Sequence, residues 1–196
     1  MKDRREYIIH KAMELYALRG YQNVSITDLQ FALDMGRGTL YYYFKDQDDL
    51  FQTCMEQFFF SKKQRALNAI PEDSGIDAMK EGLGKYFASL QEALVSFDNR
   101  SINVSNFNDL MFTAHNKFPA LHRRAQRLAL KELELWRKAI YHDQRAGLIR
   151  RDIDREQIAL MYTHIKNSYD AGLGNTEMDF SLLRKTYEEL HKLIKI

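Results

Sequence analysis

Residues 25–50 read SITDLQFALDMGRGTLYYYFKDQDDL, and this stretch decides how the rest of the chain is interpreted. Ser25 and Asp28 stand three residues apart, which is the spacing of a capping box at the start of a helix. A helix is therefore predicted to begin at about Ile26. The apolar residues of the segment recur at helical spacing and give this helix one buried face. They are Ile26, Leu29 and Leu33.

A tight turn and a second short helix follow in the same stretch. The first helix is predicted to end at Asp34, because aspartate tolerates the left-handed backbone of such a turn and Gly36 adopts it freely. A second helix is predicted over residues 37–44, and the spacing of Asp46 and Asp49 predicts the start of a third. Two helices joined by a short turn form the unit that places its second helix in the DNA major groove.

At these residues the chain resembles the Tet-repressor (TetR/AcrR) family of bacterial transcription regulators. The resemblance covers about residues 5 to 51 and is carried by three short motifs. They are Gly-Tyr at residues 20–21, Ser-Ile-Thr-Asp-Leu at residues 25–29, and Arg-Gly-Thr-Leu-Tyr-Tyr-Tyr-Phe at residues 37–44. The chain departs from the family pattern at Gln30, Leu33, Asp34, Gly36 and Gln47.

The resemblance implies an all-α protein of about nine helices in two parts. Residues 1–47 are expected to form a helix-turn-helix DNA-binding domain, and residues 48–196 a helical domain that binds an effector and dimerises. The implied function is that of a cytoplasmic homodimeric regulator, a repressor rather than an activator, that binds operator DNA and is released by a small molecule. No cofactor, metal ion or membrane partner is expected.

The residues expected to contact DNA lie on and beside the second helix. Arg37 suits guanine or phosphate, Gly38 allows close approach of the main chain, and Thr39 offers a methyl group to thymine. Tyr42 can donate to phosphate, whereas Tyr41 is expected to be partly packed. The full set, which the resemblance also implies, is Thr27, Gly36, Arg37, Gly38, Thr39, Tyr41, Tyr42, Lys45 and Gln47. The alternative is that its charges are solvated and its tyrosines only pack.

The charge of the N-terminal segment is close to balanced. Residues 1–50 contain seven Lys and Arg residues and eight Asp and Glu residues, within a chain of net charge +2. A non-specific nucleic-acid binder usually carries a broad basic surface. The balance therefore predicts few phosphate contacts and modest non-specific affinity.

Helical periodicity continues to the end of the chain. The only cysteine, Cys54, is expected to pack as a small apolar residue, and the opening residues MKDRREY indicate neither a signal peptide nor a membrane span. A loop is predicted at residues 71–75. The other predicted helices cover residues 3–19, 47–67, 76–95, 106–114, 119–147, 154–172 and 180–194.

The second part of the chain offers a composition for an effector site and no motif. Its aromatic, methionine and histidine residues are candidates to line a cavity for a mostly apolar or aromatic effector. These candidates are Phe58, Phe87, Phe107, Met111, Phe112, His115, Trp136, Met161, Tyr162 and His164. The alternative is that they form ordinary core. A ligand that moves the C-terminal part of the fourth helix is expected to reorient the DNA-binding domain.

The last two helices are the usual dimer partners in the resembling family. Their candidate interface residues are Leu160, Tyr169, Leu183, Tyr187 and Leu190, although these positions fit an intrachain core equally well. A two-fold dimer places two recognition helices about 34 Å apart, one turn of DNA.

Two other classes of protein compete with a regulator. An enzyme is disfavoured because the six histidines form no metal or catalytic motif; His115 and His122 are seven residues apart, but Pro119 predicts a break between them. The second class is a helical partner-binding protein of the same fold without operator binding, favoured only by the acidic N-terminal segment and by Gln47.

Overall fold

Nine helices form the part of the chain that the computed structural model describes. These are residues 2–97, 102–170 and 181–196, without the side chains of residues 2, 3, 94, 104 and 166–170. The helices are α1 (Lys2–Arg19), α2 (Ile26–Leu33), α3 (Arg37–Tyr43), α4 (Gln47–Met55, a π-helical turn at Glu56–Phe60, and Ser61–Ala69), α5 (Ile76–Val95), α6 (Val104–Lys117), α7 (Pro119–Arg145), α8 (Arg155–Asp170) and α9 (Ser181–Ile194). The predicted all-α fold is confirmed. Within the described ranges, no helix is long and apolar enough to cross a membrane.

The local signals around α2 act as the sequence predicts. Ser25 accepts a hydrogen bond from the Asp28 amide, and the Asp28 carboxylate accepts one from the Ser25 amide at 2.8 Å, so the capping box is confirmed. Asp34 adopts the left-handed conformation with φ 49°. Gly36 has φ −68° and ψ 154°, an extended conformation open to any residue. The turn therefore uses the aspartate, and not the glycine, as its left-handed residue.

Helix α1 holds the N-terminal helices together. Its buried stripe, which includes Ile8, Ala12 and Tyr16, packs against α2 and α4. The Tyr16 ring meets Phe51 of α4 edge-on, with centroids 5.3 Å apart. Cys54 is fully buried beside α1, where its thiol donates to the Ile9 carbonyl and burial raises its pKa. A buried thiol of this kind is a packing residue and not a reactive one.

Helix α4 is continuous, as predicted, but contains a π-helical turn that its sequence pattern does not reveal. Phe58, Phe59 and Phe60 are consecutive and all buried. A regular α-helix turns about 100° per residue, so three successive side chains cannot all face one neighbour. Here they face several: the Phe58 ring lies near Phe97 after α5, and Phe59 meets Phe107 of α6. The π-helical turn is thus the segment in which α4 packs against the helices that follow it in the chain.

Helix α6 differs most from the sequence-based prediction. Helix α6 begins at Val104 and ends at Lys117, longer than the predicted 106–114, because Asn103 and Asn106 form a capping box upstream of the predicted start. Helix α8 is described to Asp170, so its predicted end at residue 172 lies outside the described residues. The loop predicted at residues 71–75 is present.

An acid of α7 caps the start of α5 from 67 residues away. Asp143 is only 3 % exposed, and its Oδ2 accepts a hydrogen bond from the Ile76 amide at 2.9 Å. A Cβ atom built on Gly75 would lie 2.0 Å from Asp143 Oδ1. Glycine is therefore required at this position by the carboxylate that binds the next residue.

Candidate DNA-binding surface

Helix α3 presents one face to the protein and the other to solvent. Leu40 and Phe44 are buried at 2 % and 3 % exposure and fix the helix to the domain. Arg37 and Gly38 are exposed at its start, and Tyr42 is 68 % exposed near its end. Spacing of four residues between the buried side chains leaves the opposite side free along its whole length.

The tyrosines of α3 divide into packed and free rings. Arg37 lies over the Tyr41 ring, with its guanidinium carbon 5.4 Å from the centroid, and Tyr41 is 40 % exposed. The expected partial packing of Tyr41 is confirmed. Tyr42 meets Tyr43 edge-on at 5.0 Å. The Tyr42 ring is thus braced by its neighbour while most of it remains in solvent.

The glycine inside α3 has no role within the protein that the backbone reveals. A Cβ atom on Gly38 would meet nothing within 4 Å, and its backbone is helical. A glycine inside a helix is unfavourable by about 0.8–1 kcal/mol relative to alanine. Because Gly38 does not stabilise the fold, we infer that its role is to let another molecule approach the α3 backbone closely.

We predict that Gly38→Ala raises the free energy of unfolding by about 0.5–1 kcal/mol and at the same time weakens operator binding. Gly84→Ala on α5 is the matched control, because its Cβ would also meet nothing within 4 Å. Urea denaturation should show a gain for both variants. Anisotropy titration with operator DNA should show a loss for Gly38→Ala alone, and equal affinities would remove the close-approach role.

The side chains that flank α3 differ in their exposure to solvent. Thr27 and Lys45 are exposed. The Gln47 side chain points inward and donates to the carbonyls of Tyr21 at 3.3 Å and Val24 at 2.5 Å. Gln47 thereby ties the 3₁₀ turn at Tyr21–Asn23 to the start of α4. Its contact with phosphate stays a prediction, as do those of the other DNA-contact candidates.

A polar cluster that sequence reasoning missed joins the two parts of the chain. Lys117, the last residue of α6, donates to the Tyr21 hydroxyl at 2.7 Å and lies 3.4 Å from Asp48 Oδ1. Tyr21 in turn donates to Asp48. Burial and the Asp48 hydrogen bond raise the pKa of Tyr21, and the Tyr21 hydrogen bond raises that of Lys117. We call Tyr21, Asp48 and Lys117 the corner cluster. Tyr21 and Lys117 are 96 residues apart, so no local sequence pattern predicts their contact.

Three aromatic residues from three helices pack together in the effector domain. Trp136 of α7 stacks on Tyr162 of α8 at 4.2 Å with an interplanar angle of 11°, and Tyr187 of α9 contacts both rings at 5.6 and 5.5 Å. The Trp136 indole N–H and the Tyr162 hydroxyl are buried without a hydrogen-bond partner among the described residues. Burial raises the pKa of Tyr162, so its hydroxyl keeps its proton.

The remaining effector-site candidates separate by burial. Phe58, Phe87 and Phe107 are buried and Met111 is partly buried. The other four candidates lie on the surface of the single chain and are Phe112, His115, Met161 and His164. A cleft of about 720 Å³ lies between α5 and α9; its apolar wall includes Leu83, Phe87, Leu183 and Tyr187, and its rim includes Lys80, Arg184 and Glu188.

The dimer candidates on α9 face the interior of their own chain. Leu183, Tyr187 and Leu190 are 2 %, 3 % and 6 % exposed, whereas Leu160 is partly buried. The side chain of Tyr169 lies outside the described residues. Apolar side chains that remain on the outer surface of α8, α9 and the chain end are Met161, Leu182, Leu193 and Ile196.

Helices α1, α2 and α3 form a three-helix N-terminal unit in which α3 exposes one face, and a larger all-α part follows. This is the architecture of a helix-turn-helix DNA-binding transcription regulator. Residues 8–54 match the family described as "Bacterial regulatory proteins, tetR family". The N-terminal part of the chain is therefore similar to that family of transcription regulators.

Relatives agree with this assignment over most of the chain. The HTH-type transcriptional repressor DhaR of Mycobacterium sp. (strain GP1) is 26 % identical over 163 residues, which cover 79 % of this chain and 74 % of DhaR. A TetR transcription regulator from Haloarcula marismortui ATCC 43049 superposes with a TM-score of 0.73 at 15 % identity, covering 100 % of both chains. A TetR-family regulator from Marinobacter aquaeolei VT8 gives 0.71 at 19 % identity, covering 98 % of this chain and 91 % of the other.

Proposed function

We propose that this protein is a cytoplasmic repressor that binds its operator through the exposed face of α3, the start of α2 and the residues between α3 and α4. The observation that carries the proposal is the solvent-exposed set Arg37, Gly38 and Tyr42, which offers donors and a bare backbone on one side of a short helix. The similarity to a repressor, DhaR, supports repression over activation. Residues 1–47 would form the DNA-binding domain and residues 48–196 the effector-binding and dimerisation domain.

The proposed repressor is a two-fold dimer built on α8 and α9. Support comes from the apolar side chains left on their outer surface, namely Met161 at 46 %, Leu182 at 47 % and Leu193 at 73 % exposure. The opposite, buried face of α9 packs against its own chain and so holds the helix in position for the interface. Its buried residues are Leu183, Tyr187 and Leu190. Such a dimer presents its recognition helices to two half-sites about one turn of DNA apart.

The proposed effector is a small, mostly apolar or aromatic molecule with a hydrogen-bond acceptor. The cleft between α5 and α9 has the volume of a small-molecule site, and its wall residue Tyr187 contacts Trp136 and Tyr162. A ligand that enters beside Tyr187 would contact that ring, and the aromatic cluster would have to rearrange for the ligand to reach the buried donors of Trp136 and Tyr162. The charged rim of the cleft carries both signs and favours no net charge on the ligand.

Two connections are placed to transmit effector binding to the DNA-binding domain. One is α4, whose π-helical turn touches α5, α6 and α7; π-turns are rare and are often found at functional sites. Arg124 of α7 binds Glu56 at the start of this turn at 3.1 Å. The other connection is the corner cluster, which joins the end of α6 to the 3₁₀ turn and to α4. An effector that shifts α6 or α7 would move the DNA-binding domain through both.

We predict that Lys117→Met loosens the contact between α6 and the DNA-binding domain. The methionine keeps an apolar stem but removes the cation from Tyr21 and Asp48, a change worth about 1 kcal/mol for a half-exposed group. Amide hydrogen exchange over residues 20–24 and 47–51 should become about fivefold faster. Lys85→Met is the control, since Lys85 pairs with Glu81 on its own helix. Unchanged exchange in both segments would show that the corner cluster does not couple the domains.

The proposed function is tested by fluorescence anisotropy against the DNA that flanks the protein's own gene, with shuffled DNA as competitor. Saturable, sequence-selective binding is expected, and absence of selectivity would favour the helical partner-binding alternative. For the effector, Trp136 is the only tryptophan of the chain and lies in the aromatic cluster. Compounds that both quench its fluorescence and release operator DNA would identify the effector class; quenching only by permanently charged polar compounds would contradict it.

A further inference from the structure

The first turn of α1 lies beside the end of the recognition helix. The Arg5 guanidinium carbon is 5.1 Å from the centroid of Phe44, the residue that ends α3. Phe44 is buried, and Lys45 follows it at the surface. Arg5 is therefore held near the same edge of the domain as Lys45, and Arg4, its neighbour in the sequence, is exposed. Neither arginine is carried by α2, α3 or the start of α4.

The balanced charge of residues 1–50 does not describe this edge. Two bases of that segment are taken up by acids, since Lys11 binds Glu14 at 3.1 Å and Arg19 binds Asp28 at 3.2 Å. Asp48 is bound by Lys117, a residue outside the segment. In contrast, no acidic side chain of the described residues pairs with the other bases of the segment whose side chains are described, which are Arg4, Arg5, Arg37 and Lys45.

The acids left near the edge are held by hydrogen bonds. Asp46 accepts from the Asp49 amide at 2.8 Å, and Asp49 accepts from the Lys45 amide at 3.0 Å. Both stand at the N-terminus of α4, where the helix dipole offsets part of a negative charge. Glu6, which follows Arg5 in the sequence, accepts a hydrogen bond from Gln57 of α4. The dipole of α4 therefore offsets part of the negative charge of Asp46 and Asp49.

We propose that Arg4 and Arg5 bind the phosphate backbone of operator DNA next to the segment gripped by the recognition helix. Guanidinium groups bind phosphate through paired N–H donors, and stacking on Phe44 would pre-orient Arg5 for this contact. The inference rests on the proposed DNA-binding surface. It adds phosphate contacts from α1, which neither the helix-turn-helix residues nor the net charge indicates. A phosphate contact of this kind adds affinity without sequence preference.

The test is the salt dependence of operator affinity in the full-length protein. Arg4→Gln and Arg5→Gln should each reduce the magnitude of the slope of log K against log salt by about 2 per dimer, since one phosphate contact is lost in each protomer. Specific and shuffled DNA should weaken by the same factor. Arg5→Lys keeps the charge but not the paired donors, so it should keep the salt slope and lose less affinity than Arg5→Gln. Lys85→Gln removes an equal charge from α5, outside the N-terminal helices, and serves as the control.

Each outcome decides a separate point. An unchanged slope in Arg5→Gln together with a lower melting temperature would mean that Arg5 only packs on Phe44 and would overturn its part of the proposal. An unchanged slope in Arg4→Gln would overturn the part of Arg4. If the unchanged protein binds no DNA selectively, the proposed function itself fails, and that result is visible before any variant is compared.

Discussion

Replacing Arg37 with alanine is expected to lower operator affinity by about 30-fold or more. A well-placed arginine on a base edge contributes about 1–3 kcal/mol of discrimination, and a dimer loses two of them, or about 2–6 kcal/mol. Because every 1.4 kcal/mol is tenfold, the loss lies between about 30-fold and 10⁴-fold. Arg37→Lys should fall in between, since lysine keeps the charge but not the paired donors.

Folding should hardly change in the same variant. Arg37 is exposed and its described contact is the stacking on Tyr41, worth about 0.5–1 kcal/mol at an exposed site. Anisotropy titrations and urea denaturation of one preparation therefore separate the two effects. Arg65→Ala, an exposed arginine of α4, is the charge-matched control. If Arg37→Ala retained full, selective affinity, other residues of the surface would have to make the contacts with the bases.

The DNA-binding end could be predicted from sequence because its determinants are local. The capping box of Ser25 and Asp28 acts within three residues, and the left-handed Asp34 acts at a single position. Apolar spacing of four residues was enough to predict which face of α3 is buried. Such signals need no knowledge of the tertiary structure, and for this reason the helix bounds around the turn agree to within one residue.

The rest of the molecule depends on contacts between distant residues, which one sequence does not reveal. Helical spacing predicted an apolar face on α9, but Leu183 and Leu190 would show the same spacing in a core or in a dimer interface. Pro119 predicted a break between His115 and His122, yet their rings lie 4.1 Å apart because the chain turns at Phe118 and brings both helix ends together.

The second large effect concerns stability, and it arises from one of these distant contacts. Asp143→Ala should lower the free energy of unfolding by about 2–3 kcal/mol, because it removes a buried charged acceptor and leaves the Ile76 amide unpaired at the start of α5. Gly75→Ala should have a comparable effect for a different reason. Its Cβ would lie 2.0 Å from Asp143 Oδ1 and would force the carboxylate out of its place. Asp73→Ala, at an exposed position in the same loop, should change stability by less than about 0.5 kcal/mol.

Combining the two substitutions distinguishes this explanation from a general sensitivity of the loop. In Asp143→Ala the oxygen that meets the new Cβ is gone, so adding Gly75→Ala should cost little more. The double-mutant cycle is therefore expected to show a coupling of about 2–3 kcal/mol in magnitude, with the double variant close to Asp143→Ala alone. Urea denaturation at one fixed protein concentration measures it, since a dimer's stability depends on concentration. Additive losses would mean that Gly75 is required for a reason other than the carboxylate, and the cap from α7 would then not be what determines the start of α5.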